Sequence, residues 1–209
     1  MAHSCIVGPH DPIPRFGDRR RIRIGLLGGS FNPAHAGHLH VARLALRRLR
    51  LDQVWLMVSP GNVLKPRDGM TPFSERLAYA ASLVDGRRIV ATGIEAALGT
   101  RYSADTLRAL SRRFPRASFV WIMGADILEQ LPRWNRWREI ARRIPFAIVP
   151  RGGYNGRALA GHAARALRAG RRRGREAATL PGATPPAWAF LTAPSHPASA
   201  TAIREGIPS

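Results

Sequence analysis

Short apolar runs alternate with helix-period segments along almost the whole chain, and few architectures accept that rhythm. The runs at residues 22–27, 53–58 (QVWLMV), 88–91, 118–123 (SFVWIM), 145–149 and 187–191 read as buried strands. Between them, residues 37–49, 73–84, 103–113, 134–143 and 157–169 carry apolar residues at helical spacing, with arginines on the other side. Strand, helix, strand in repetition implies βαβ crossovers and a doubly wound, mainly parallel sheet covered on both faces. The expected fold is therefore a single Rossmann-like α/β domain over residues 21–209. Residues 1–20, with Pro9, Pro12, Pro14 and Gly17, read as a loose, flexible basic tail. Residues 171–175 read as a basic loop, and residues 201–205 as a last helical turn. In such sheets ligands bind at the carboxyl ends of the strands, where strand order reverses. The loops after Gly28, Ser59, Gly124 and Arg151 should share that edge.

Composition excludes several classes. The 209 residues are 45% hydrophobic, enough for one core but not for two full domains. No apolar stretch reaches the ~18 residues that a membrane-spanning helix needs. The first twenty residues contain no apolar core of a secretory signal. Cys5 is the one cysteine, so neither an internal disulfide nor a cysteine zinc site is available. A reducing, cytoplasmic setting is the expectation. The formal charge of +20 suggests a polyanionic partner, but Lys65 is the single lysine among 33 basic residues. An arginine-only habit spread over helices reads as a solvated basic surface, and nucleic acid is not the expected partner. A nucleic-acid-binding protein remains the rival reading from a different class.

The segment after the first strand carries the chemistry. It reads Gly28-Gly29-Ser30-Phe31-Asn32-Pro33-Ala34-His35-Ala36-Gly37-His38. Two glycines allow a sharp turn and close approach of backbone to ligand. A helix starting near Gly37 aims its free amides and positive dipole end into the same space. His35 and His38 are three apart at that start, so both imidazoles can face one anion. Donors so placed suit a triphosphate whose charge rises in the transition state, and Ser30 can add a hydroxyl. The segment lacks the Gly-Lys-Ser/Thr ending of a Walker loop and the G-x-G-x-x-G of a dinucleotide fingerprint. A half metal site or a purely structural helix cap are the alternative readings of the two histidines.

GGSFNPAHAGH closely resembles the G-G-[ST]-F-[DN]-P-x-H-x-G-H signature of bacterial nicotinate-nucleotide adenylyltransferases, members of the HxGH nucleotidyltransferase superfamily. Other segments extend the resemblance over roughly residues 22–207. Ser199-Ala200-Thr201-Ala202-Ile203-Arg204 resembles the family's S-x-T-x-I-R. The stretch from Trp121 to Gly124 and Asp126 resembles its strand ending in G-x-D. Residues 131–137, with Trp134 and Asn135, resemble the segment beside the nicotinate ring. Tyr102-Ser103-Ala104-Asp105-Thr106-Leu107 resembles [SR]-Y-T-x-x-T-L, with Ser103 read as the helix N-cap. Asn62-Val63-Leu64-Lys65-Pro66 resembles N-x-P-x-K/H-P.

The resemblance implies transfer of AMP from ATP to nicotinate mononucleotide. It implies catalytic roles for His35, His38 and Arg204. It implies ATP contacts from Gly28, Gly29, Ser30, Phe31, His35, Gly37, His38, Gly124, Asp126, Ser199, Thr201 and Arg204. For the nicotinate nucleotide it implies Ser30, Asn32, Lys65, Tyr102, Ser103, Trp134 and Asn135. Trp134 stands where the family stacks an aromatic on the pyridine, and Asn135 stands where an aromatic is often found. Mg²⁺ is expected to arrive on the phosphates rather than in a protein cage. The family runs on through a further helix past the S-x-T-x-I-R motif, which a chain ending at Ser209 leaves no room for. Rivals within the chemistry are a nicotinamide-mononucleotide or pantetheine-phosphate adenylyltransferase, or an inactive homologue that binds ATP without turnover.

Overall fold

The computed structural model describes residues 11–61, 69–150 and 154–191. Seven strands form one sheet: β1 (Ile22–Gly29), β2 (Gln53–Val58), β3 (Ile89–Thr92), β4 (Ala117–Gly124), β5 (Phe146–Val149), β6 (Arg171–Arg172) and β7 (Trp188–Phe190). Their order is β3-β2-β1-β4-β5-β7-β6, and every pairing is parallel. The expected mainly parallel sheet is thus wholly parallel among the described residues. The chain starts in the middle of the sheet at β1, winds outward to β3, then returns to β4 on the other side of β1. Strand order reverses between β1 and β4, and the crevice outside their carboxyl ends is where such a sheet binds ligands.

Both faces are buried because adjacent side chains on each strand point to opposite sides. Ile24, Leu26, Trp55, Met57, Trp121 and Met123 pack into one cluster. Leu27, Val54, Leu56, Val58, Val120 and Ile122 pack into the other. Gly25 sits where space runs out, since a Cβ there would lie 2.5 Å from Ile122 Cδ1 and 2.7 Å from Leu51 Cδ1. The helices that cover the sheet are α1 (Ala36–Arg48), α2 (Phe73–Ser82), α3 (Ile94–Leu98), α4 (Ser103–Arg113), α5 (Ala125–Gln130), α6 (Trp137–Arg143), α7 (Asn155–Ala160) and α8 (His162–Ala166).

Several expectations are corrected in detail. The helix expected from residue 134 begins at Trp137, because Arg136 before it takes a left-handed backbone with φ 53°. The helix expected over 157–169 is two pieces broken at extended Gly161. The basic loop is an edge strand at Arg171–Arg172, where the Arg171 guanidinium lies 5.2 Å from the Trp188 ring centroid, followed by a 3-10 helix. α3, α5 and that 3-10 helix were not legible, being short pieces without a full period of apolar residues. The expected loose tail is anchored at its described end. Ile13 is 4% exposed, and Asp11 accepts hydrogen bonds from Thr92 Oγ1 at 2.7 Å and from the Gly93 amide at 2.8 Å.

Candidate active site

The motif segment leaves β1 through Gly28 and Gly29, paired in register with Met57 and Val58 of β2. A Cβ on Gly28 would stand 3.2 Å from the Trp121 ring, so glycine lets β1 lie close over that indole. Trp121 in turn meets Trp134 edge-on, with centroids 6.0 Å apart and planes at 82°. Phe31 takes φ 47°, a left-handed backbone unusual for a bulky residue and costly unless its surroundings enforce it. Its ring is buried, 2% exposed, and lies 4.8 Å from the His38 ring. The Phe31 side chain therefore belongs to the core beneath the motif segment.

His35 and His38 come together as expected. Their ring centroids are 3.9 Å apart. His35 is the N-cap of α1, and its Nδ1 accepts from the Gly37 amide at 3.1 Å. His38 reaches back, its Nδ1 accepting from the His35 amide at 3.2 Å. The two imidazoles thus form a reciprocal capping box. An Nδ1 that accepts a backbone N–H leaves the proton on Nε2. Both rings then present Nε2–H donors at the start of a 13-residue helix whose first-turn amides add positive potential. The cap engages one nitrogen of each ring, so capping the helix and donating from the other nitrogen are chemically compatible roles.

Across the crevice, Gly124 ends β4 and Asp126 lies in the first turn of α5. Ser103 is the first residue of α4, and Tyr102 rather than Ser103 is its N-cap, without a side-chain bond. The start of α4 is tied to the segment after Trp134. Asp105 pairs with Arg136 at 2.6 Å and with Arg108 at 3.2 Å, and Arg108 reaches Glu139 at 2.7 Å. The bond to Asp105 holds the Arg136 guanidinium above its ordinary proton affinity, and the bond from Arg108 holds the Glu139 carboxyl below its own. Asn135 accepts from Arg136 Nε at 2.9 Å. The start of α4, with Tyr102 and Ser103, is thereby tied to the segment that carries Trp134 and Asn135.

Beneath α4, Glu95 faces Thr106, whose hydroxyl lies 3.2 Å from Glu95 Oε1 and 2.8 Å from Thr100 Oγ1. Burial pushes the Glu95 carboxyl up to about 7. Asn32 spends both ends of its amide on the backbone, donating to Gly69 O and accepting from Thr71 N, each at 3.2 Å. Lys65, Ser199, Thr201 and Arg204 lie outside the described residues.

Sequence reasoning did not single out Trp121, Glu95, Asp105, Arg136 or Arg76 as parts of this region. Trp121, Asp105 and Arg136 fell inside motif segments without a role. The two arginines are chemically indistinguishable from the many others, and Glu95 lies on a helix too short to announce a face.

A histidine-capped helix start at the strand-order reversal of a parallel sheet is the arrangement of a nucleotide-binding α/β fold. The cytidylyltransferase-like family model matches residues 26–206, and the chain belongs to that family. Its relatives include the probable nicotinate-nucleotide adenylyltransferases of Gluconacetobacter diazotrophicus, 59% identical over 92% of this chain and 89% of the relative, and of Parvibaculum lavamentivorans, 54% identical over 88% and 92%. Among solved structures, the Plasmodium falciparum nicotinic acid mononucleotide adenylyltransferase complexed with NaAD superposes with a TM-score of 0.66 at 16% identity, covering 88% of this chain and 83% of that one.

Proposed function

We propose that this protein transfers the adenylyl group of ATP to nicotinate mononucleotide, giving nicotinate adenine dinucleotide and pyrophosphate in NAD biosynthesis. The observation that carries the reading is the reciprocal histidine cap, which fixes two Nε2–H donors side by side at the strand-order reversal. A phosphate oxygen of the mononucleotide attacks the α-phosphorus of ATP in line. The new P–O bond forms as the bond to the β-phosphate oxygen breaks, and the electron pair leaves with pyrophosphate. No covalent enzyme intermediate is required. Catalysis is then positioning and charge stabilisation.

His35 and His38 hold the triphosphate, and His38 with Arg204 stabilises charge on the leaving pyrophosphate. Gly28, Gly29, Ser30, the Phe31 backbone and Gly37 line the phosphates. Gly124 and Asp126 take the adenosine, with Ser199 and Thr201 at the phosphates. Tyr102 and Ser103 offer the α4 start to the nicotinate carboxylate, Trp134 and Asn135 flank the ring, and Ser30, Asn32 and Lys65 face the mononucleotide.

Among the described residues, no group of three or more His, Cys, Asp or Glu side chains stands together to hold a metal. A site of imidazole donors aimed at phosphates suits Mg²⁺ carried by the phosphates and water. That ion supplies neutralisation of phosphate charge. No described helix is long and apolar enough to cross a membrane, and the reading is of a cytoplasmic enzyme acting on small molecules rather than on nucleic acid.

The test is pyrophosphate release with ATP and Mg²⁺, comparing nicotinate with nicotinamide mononucleotide at matched concentrations. A strong preference for the acid is expected. Preference for the amide would move the activity to the sister substrate, and no release with either would overturn the reading.

A further inference from the structure

Arg76 lies on α2, on an element to which no motif of the sequence assigns chemistry, yet it is 3% exposed. Its guanidinium spans three segments of chain. Nε donates to Thr71 O at 2.8 Å, and Nη1 donates to Ser59 O at 2.9 Å and also to Ser30 O. Ser30 follows β1 in the motif segment, Ser59 follows β2, and Thr71 precedes α2. Its Cζ lies 5.8 Å from the Phe73 ring centroid. The Asn32 amide makes a second tie between the same parts, bridging the motif segment to Gly69 and Thr71.

A helix needs no buried cation to pack on a sheet, and an aliphatic side chain would serve at lower cost. Burial lowers the proton affinity of this guanidinium, the direction expected of a cation deprived of water. Among the described residues its acceptors are carbonyl oxygens, whose dipoles offset only part of the desolvation. What the arginine provides and a leucine cannot is a rigid planar fork that fixes three carbonyls in one frame. One of those carbonyls belongs to the Ser30–Phe31 peptide, next to the residue held at φ 47°. Fixing the carbonyl sets the whole peptide plane, because the peptide unit is planar.

We propose that Arg76 is a positioning residue for the adenylyl transfer: it locks the Ser30–Phe31 peptide and the start of the histidine segment against the β2 exit and the α2 entry, with Asn32 as a second tie. The inference rests on the adenylyl-transfer reading given above. It places the effect on kcat, since a loop displaced by a fraction of an ångström loses transition-state alignment before it loses substrate.

The test is steady-state pyrophosphate release by wild type, Arg76→Lys and Arg76→Ala, scaled to the folded fraction measured by circular dichroism. Arg76→Lys keeps the charge and loses the fork. It is expected to lower kcat at least tenfold while changing the KM values for ATP and mononucleotide less than threefold. Arg76→Ala is expected to regain at least several-fold activity with methylguanidinium and none with methylammonium. Because a hole at a buried position can unfold the chain, Arg76→Met, which fills the space without a donor, provides a second variant, with a fall in kcat of the same sign. An active wild type beside an Arg76→Lys protein of unchanged kcat overturns this inference alone. Activity that merely tracks the folded fraction, with no guanidinium rescue, does so as well. A wild type that releases no pyrophosphate with either mononucleotide overturns the underlying reading and this inference with it.

Discussion

Replacing Glu95 by glutamine should remove a pH-dependent weakness from the fold. Burial raises the Glu95 carboxyl from its ordinary 4.5 to about 7, against a smaller opposing effect of the Thr106 hydroxyl. Below about pH 4.5 the side chain is neutral folded or unfolded, and the stability associated with its raised proton affinity is fully present. Between 4.5 and about 7 the unfolded chain gives up the proton while the folded chain keeps it, so stability falls as pH rises. Above about 7 the loss is complete. At ~1.4 kcal/mol for each tenfold change in proton affinity, the full difference is about 3 kcal/mol. The side chain retains some exposure, which reduces the expected loss to about 2 kcal/mol. Glutamine keeps a carbonyl oxygen to accept from the Thr106 hydroxyl and has no charge to desolvate. Urea unfolding of both proteins at intervals from pH 5 to 8.5 reads the effect. The variant should gain about 2 kcal/mol on wild type across that range. Taking the difference cancels the common titration of the histidines and of the low-affinity carboxyls such as Asp52 and Asp85. Parallel curves for the two proteins, or a variant weaker than wild type at pH 8, would refute the reasoning. Because Thr106 sits one turn into α4, the same series read as KM for nicotinate mononucleotide reports whether ionised Glu95 disturbs that helix start.

Three further outcomes are expected. His38→Ala should lower kcat by about 10²–10³, the usual effect of losing one transition-state donor, with substrate KM much less altered; a raised KM at unchanged kcat would place His38 in ground-state binding instead. Asp11→Ala removes the acceptor shared by Thr92 and the Gly93 amide and should lower unfolding free energy by about 1–3 kcal/mol in denaturant titrations, whereas a neutral result would make the Asp11–Ile13 anchor incidental. Gly170→Ala would set a Cβ 2.0 Å from the Pro186 carbonyl oxygen, a backbone clash no rotamer relieves, so a drop in thermal midpoint of several degrees is expected for a cost above about 1 kcal/mol.

The rhythm of apolar runs determined the parallel sheet, and the reason is that a strand buried on both faces must be apolar without interruption. The local motif determined the histidine site, because both imidazoles act within one helical turn and their spacing alone puts them side by side. Tyr102, Ser103 and Trp134 were singled out only through resemblance, since nothing local distinguishes a capped helix or a buried indole from a ligand contact. Even there the sequence misplaced the start of α6. The left-handed Arg136 that delays it is held by Asp105 from another helix, and a neighbour so far away along the chain leaves no trace in local periodicity.

Tertiary structure alone decided the surroundings of Arg76 and Glu95. In a chain whose basic residues are almost all arginine, a buried one looks like its solvated neighbours until the fold encloses it. What sets these two apart is loss of water and the identity of the groups that replace it, three carbonyls for Arg76 and a threonine hydroxyl for Glu95. Desolvation depends on what packs around a group from every side, and those surroundings come from strands and loops far away in sequence. Spacing encodes what a segment does along its own axis; the energy of a buried charge is fixed only when the distant segments close over it.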